Sequence, residues 1–229
     1  MTERPYVLLS VAASIDGYID DNTSERLLLS NDEDFDRVDE VRASVDAILV
    51  GANTIRRDNP RLLVRSDDRR KRRLDAGLTE SPIKVTLSAT GHFDPTSKFF
   101  STGDVAKIVY VPTSAAPRAT DAVGDVSTVV DAGPKVDPVF VLEDLADRGI
   151  KRLMVEGGGT IHTQFLSAGL ADEIQLVVAP FFVGDSTAPR FVGDAHFPQS
   201  PANRMSLADV QQIGDVVLLR YLPKAIEHA

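Results

Sequence analysis

The sequence predicts an α/β fold: a mostly parallel central sheet, helices on both faces, and a C-terminal antiparallel hairpin. Three observations carry this. Short runs rich in Val, Ile and Leu alternate with stretches at helical spacing, the pattern of strand–helix–strand units. The first run, Tyr6 to Ala13, is apolar at almost every position, which suits a central strand covered on both faces. The last, Val210 to Leu222, breaks once at Ile213-Gly214-Asp215 and reads as two strands joined by a tight turn.

The elements follow in order. After the first strand, Ser14-Ile15-Asp16-Gly17 forms a loop. Ser30 and Glu33 are spaced as a capping box. They open a helix that carries Phe35, Val38 and Val41 on one face to about Ser44. Asp46 to Val50 is the second strand, and Gly51-Ala52-Asn53-Thr54 a glycine turn. Asp58-Asn59-Pro60-Arg61-Leu62 is a further turn. Arg65 to Arg73 is a basic cluster with two acids inside it, expected as a solvated surface segment. Ile83 to Ser88 and Lys107 to Val111 are strands. Pro112 to Pro138, rich in Pro, Ala, Gly and Asp, is expected to wrap the surface around a short strand at Ser127 to Val130. Val139 to Arg148 is a helix with Leu142, Leu145 and Ala146 inward, ended by Gly149. Glu173 to Ala179 is a strand. No composition break marks a boundary, so residues 1–229 are read as a single domain.

The stretch from Leu153 to Leu166 organises the chemistry. Leu153-Met154-Val155 is a short apolar strand. Glu156 stands at its carboxyl end, and Gly157-Gly158-Gly159 follows. Thr160 is placed to cap a helix in which Ile161 and Phe165 share a face, and Gly169 is placed to end it. A glycine turn feeding a helix N-terminus offers unpaired N–H groups and the positive end of the dipole to an anion. In α/β sheets ligands bind beyond the carboxyl ends of the strands. Three loops converge there: Ser14 to Gly17, Gly51 to Thr54, and Glu156 to Thr160.

Composition narrows the function. Asp and Glu outnumber Lys and Arg by 34 to 25, for a net charge of -9, which disfavours nucleic acid or an anionic membrane as partner. There is no cysteine, hence no disulfide, thiolate nucleophile or cysteine metal site. The four histidines, His92, His162, His196 and His228, show no paired ligand spacing, so no metal is expected. The N-terminus carries no signal-peptide pattern, and no apolar run approaches the ~20 residues of a membrane span. A cytoplasmic location is expected.

The ordered motifs resemble a known family. They are Ala13-Ser14-Ile15-Asp16-Gly17, Arg42-Ala43, Ile48 to Gly51 with Thr54, Asp58 to Arg65, Val155 to Thr160 and Gly169 to Ile174. Together they are similar to the pyrimidine reductase of riboflavin biosynthesis, the reductase domain of the RibD type, over nearly the whole chain. With no zinc deaminase motif, the chain would be the reductase half. The resemblance implies a dihydrofolate-reductase-like fold and a homodimer. It also implies NADPH-dependent reduction of a phosphoribosylamino-pyrimidine, either the diaminopyrimidinone or the aminouracil, to its ribitylamino product. By position it assigns the cofactor to Ala13, Thr54, Asp58, Ser88 and the run Gly157, Gly158, Gly159, Thr160, Ile161, His162, Thr163 and Gln164. Arg42, Leu62, Arg65 and Glu156 would contact the substrate. Glu156 and Asp58 are the candidate catalytic acids, and Arg56, Arg57 and Ser88 are candidates for a cofactor 2′-phosphate.

Bland readings stand beside these. Arg42 suits a helix surface, Thr54 a helix cap, Asp58 the turn before Pro60, and Ser88 a strand end. His162, on a first helical turn, is expected on the helix surface. Tyr18, Asp20-Asp21 and Leu87 depart from the family pattern and open one alternative, a reductase of dihydrofolate or another pterin; a nucleotide-binding module without catalysis is a third reading.

Overall fold

The computed structural model of the chain describes residues 4–23, 25 and 27–224. They form nine strands and seven α-helices. In chain order these are β1 (Tyr6–Ser14), α1 (Asp32–Ala43), β2 (Ala47–Gly51), α2 (Ala52–Asp58) and α3 (Asp67–Asp75). Then come β3 (Ile83–Leu87), α4 (Lys98–Ser101), β4 (Lys107–Val111), α5 (Ala116–Val123), β5 (Thr128–Asp131) and α6 (Pro138–Asp147). The last are β6 (Arg152–Gly157), α7 (Gly159–Ser167), β7 (Glu173–Ala179), β8 (Ser206–Ile213) and β9 (Val216–Leu222). The alternation matches the expected α/β class, and most strand pairings are parallel.

Two compact units share the chain. One holds the described residues of Met1–Pro5 and Val38–Met154, the other those of Tyr6–Arg37 and Val155–Ala229. Each is assembled from separated segments, which explains why composition along the chain shows no boundary.

In the first unit β2, β3, β4 and β5 run parallel, in the order β5-β4-β3-β2. β2 is buried at every residue, as a strand covered on both faces must be. Gly51 ends it and α2 starts at once, so the expected glycine turn is absent and Thr54 lies inside a helix. α2 ends on Asn59, a left-handed cap at φ 44°, and Leu62 is also left-handed at φ 50°. The basic cluster is largely exposed, as expected, with Arg65, Asp67, Asp68, Lys71 and Arg72 at the surface. It forms α3, capped by Ser66, whose hydroxyl accepts the N–H of Arg69. Arg73 is only 4% exposed, because its guanidinium donates to the carbonyls of Ala43, Val45 and Thr79. The Pro112 to Pro138 stretch is more ordered than expected. It holds a short 3-10 turn at Thr113–Ala115 and then α5, which buries Ala119 and Val123.

The second unit places β1 beside β7 in parallel, with Ser14 opposite Ala179. β9 then pairs antiparallel with β7, and β8 with β9. The closing hairpin is therefore as expected, although β8 begins at Ser206 rather than Val210. The expected capping box is corrected. Asn31, not Ser30, accepts the N–H of Asp34, while its amide donates to Ile213 O and Asp215.

α1 also departs from expectation in what it buries. Phe35, Val38 and Val41 are only half-buried, whereas Asp34 and Asp39 are each 1% exposed. Buried carboxylates need partners. Asp34 has Arg37 at 2.7 Å, and Arg37 also donates to Gln175. Asp39 has partners of its own, described below.

Candidate functional site

In the second unit the candidate residues are Ala13, Glu156 and the start of α7. Ala13 is buried near the end of β1, and Glu156 is half-buried near the end of β6. A cis peptide joins Gly157 to Gly158. Gly158, not Thr160, is the N-cap of α7 and brings no side-chain cap. Of the first-turn N–H groups, Ile161 N–H donates to Gly158 O, and none is taken up by a capping side chain. This arrangement fits an anionic group such as a pyrophosphate.

Not all of the run Gly157 to Gln164 presents a side chain. Thr160 and Gln164 are exposed, but Ile161 and His162 are buried. His162 is fully buried rather than on the helix surface. Its ring packs edge-on against Phe191, with centroids 5.3 Å apart, and neither ring nitrogen has a hydrogen-bond partner. Burial pushes its pKa down to about 4. Thr163 is also committed, because its hydroxyl donates to Gly159 O and accepts from Gly193 N.

Gly159 has a partner that sequence reasoning missed. A Cβ there would lie 2.3 Å from the carbonyl oxygen of Arg190. This glycine is required by the close approach of the protein's own 188–193 segment. That segment is bound in turn to the loop after β1. Tyr18 bridges Arg190, Ile19 N–H donates to Pro189 O, and Phe191 N–H to Gly17 O. The Arg190 guanidinium donates to the Tyr18 hydroxyl at 2.8 Å and lies 4.8 Å from its ring centroid. Asp16 accepts from the Ser14 hydroxyl and from Val183 and Gly184 N–H, and these bonds, the hydroxyl foremost, hold its pKa below the usual carboxylate range. Such pairings over long sequence separations leave no local signal.

In the first unit Arg42 is half-buried on α1 and reaches Leu63 O at 3.5 Å. The Leu62 side chain is core, at 2% exposure, so its backbone is what it can offer a ligand. Arg65 is 60% exposed at its side chain. Thr54 is half-buried within α2, and Asp58 is exposed at its last residue. Ser88 is buried just past β3, where its hydroxyl accepts from Thr90 and Gly91 N–H. Arg56 lines a pocket of about 230 Å³ with Asn59, His92 and Asp94, and donates to His92 O.

Comparison with known proteins decides the family. The family model described as the RibD C-terminal domain matches residues 5–219. The chain belongs to this family. Relatives named 2,5-diamino-6-ribosylamino-4(3H)-pyrimidinone 5′-phosphate reductase include two that span nearly the whole chain. The Archaeoglobus fulgidus protein is 33% identical over 93% of this chain and 95% of its own. The Methanothermobacter thermautotrophicus protein is 34% identical over 96% and 99%. Among solved structures, RibD of Acinetobacter baumannii superposes with a TM-score of 0.77 at 25% identity, covering 97% of this chain and 59% of that one. A pyrimidine reductase-like protein of Corynebacterium diphtheriae gives 0.77 at 24% identity over 96% and 92%. The dihydrofolate-reductase-like fold expected from the motifs is therefore the fold of the RibD reductase domains. Among the described residues no helix is long and apolar enough to cross a membrane, and no group of three or more acidic or histidine side chains could hold a metal ion.

Proposed function

We propose that the chain is an NADPH-dependent reductase of a phosphoribosylamino-pyrimidine 5′-phosphate, acting on the non-deaminated diaminopyrimidinone. The observation that carries the proposal is the uncapped N-terminus of α7, with Glu156 just before its glycine turn. Two nearly full-length relatives named for this reductase support it. Both are named for the pyrimidine and not for a pterin, which favours the first reading over the dihydrofolate alternative. The reading extends to a homodimer in the cytoplasm.

When bound, NADPH supplies the hydride. The chain's own groups bind and orient. The first-turn N–H groups of α7 hold the pyrophosphate, as fixed donors aligned with the helix dipole. Thr54, Asp58 and Ser88 contact the remainder of the cofactor, and Arg56 and Arg57, on α2, are the cations assigned to its 2′-phosphate. Arg42 and Arg65 grip the substrate 5′-phosphate, which arginine can hold bidentately. Each charge-assisted hydrogen bond there contributes about 1.5–3 kcal/mol. Glu156 orients the sugar hydroxyls or ring N–H groups. Opening of the sugar gives an imine at C1′ that accepts hydride more readily when protonated; Glu156 and Asp58 are the residues assigned to catalysis.

The test is NADPH oxidation that depends on added substrate, followed in parallel with the phosphoribosylamino-pyrimidine and with dihydrofolate. Turnover of the first alone supports the proposal. Turnover of dihydrofolate alone replaces it, and oxidation of NADPH with neither removes the catalytic reading.

A further inference from the structure

The segment that carries Arg65 is held in an unusual way. Its residues 62–66 belong to no strand, yet three successive N–H groups are each bound by a side chain. Val64 N–H donates to the Ser81 hydroxyl at 2.9 Å. Arg65 N–H donates to Asp39 Oδ1 at 2.7 Å, and Ser66 N–H to Asp39 Oδ2 at 3.1 Å. Asp39 also binds Arg69 Nη1 at 3.0 Å and lies 3.7 Å from Arg65 Nε. Its side chain is 1% exposed. Burial pushes its pKa up, but the Arg65 and Ser66 N–H groups and Arg69 outweigh burial and hold it below the usual range.

Asp39 lies three residues before Arg42 on α1, so the two share a helical face. One helix thus carries an arginine of the proposed phosphate grip and the acid that seats the other arginine. A single carboxylate with two backbone N–H donors fixes where the Arg65 main chain starts, and its approach to Nε biases where the guanidinium points. Bidentate recognition depends on that geometry.

We infer that Asp39 is a positioning residue for substrate-phosphate recognition: it sets the place of Arg65 relative to Arg42 without touching the substrate. The inference rests on the proposed function, since it presupposes that Arg65 grips the phosphate.

The test is steady-state kinetics of the full chain with Asp39→Asn, Arg65→Ala and the double variant. Asp39→Asn keeps the shape but replaces one acceptor oxygen with an NH2 that cannot accept from the N–H it faces, and removes the charge. The expected result is a rise of ~10-fold in KM for the phosphoribosyl substrate, with kcat and the KM for NADPH nearly unchanged. The double variant should be no worse than Arg65→Ala alone, because a residue that acts through another has nothing further to lose. Asp39→Glu should recover part of the affinity, and it takes the place of Asp39→Asn in the cycle if the latter does not fold. Equal losses in kcat and in both KM values, or losses that add in the double variant, overturn the inference and leave Asp39 a purely structural anchor. A wild-type protein inactive on the phosphoribosyl substrate would instead overturn the parent reading, a result separable from the variant comparison.

Discussion

The carbonyl oxygen of Arg190 sits 2.3 Å from where a Cβ on Gly159 would be. Real side chains do not approach a backbone oxygen so closely, so any residue but glycine must displace the 188–193 segment. That segment also holds Tyr18 and packs Phe191 on His162. Gly159→Ala is therefore expected to destabilise the protein by ~1–3 kcal/mol, the usual cost of overpacking. Urea unfolding measures it, and an unchanged midpoint would refute the contact.

Gly158 makes a different prediction. Its φ of -86° is open to any residue, so Gly158→Val should fold. A branched side chain beside the uncapped first turn should weaken NADPH binding by at least ~10-fold, or about 1.4 kcal/mol. Fluorescence titration reads the affinity, and an unaltered value would mean that the pyrophosphate binds elsewhere.

Arg65→Ala should lower kcat/KM for the phosphoribosyl substrate by at least ~10-fold, equivalent to about 1.4 kcal/mol. Its side chain is exposed, so stability should hold. Kinetics on a substrate without the phosphate provide the control: an equal loss there would detach Arg65 from the phosphate.

Lys84 should make stability depend on alkaline pH. It is fully buried in β3 and donates to Phe99 O and Thr102 O. Burial, followed by the charge of Lys107, pushes its pKa down to about 7. An unfolded lysine titrates near ~10.4. Between these values the unfolded chain binds more protons, so this group raises stability as pH rises from about 7 to about 10. Lys84→Met should lose that rise, so the wild-type-minus-variant difference in melting temperature should climb with pH across this window. A difference that stays flat across the window would show the lysine to be charged in the fold.

His162 should act at the acidic side. Its folded pKa, lowered to about 4 by burial, lies below the unfolded value of ~6.5. The unfolded state then binds the extra proton, and stability falls as pH drops from about 6.5 towards 4. His162→Leu should remove this part of the acid sensitivity. Above neutral pH it should cost little, because it also removes two buried nitrogens that lack partners. A variant that melts like the wild type from pH 4 to 7 would contradict the prediction.

Much of this protein is local and so was legible. β4 and β7 coincide with their expected ranges, because uninterrupted apolar runs between polar ends permit little else. The glycine turn before α7 and the acid beside it were visible for the same reason, since glycine and N-terminal helix chemistry act over a few neighbouring residues. The capping details were not. Asn31 displaced Ser30 as the cap because its amide also reaches Ile213 and Asp215, far along the chain.

What composition and periodicity determined was the alternation of strands and helices and the run of residues at the α7 turn; the ordered motifs carried the family resemblance. Only the tertiary structure decided which side chains are available for chemistry. Arg73, expected in a solvated segment, is buried, as is Asp39, because backbone groups of distant segments supply their partners. His162 looked exposed on a first turn and is enclosed, because Phe191 arrives from a loop 29 positions later. Apolar patterning is written in neighbouring residues. The pairing that lets a charge go inside is written in residues that meet only after the chain has folded.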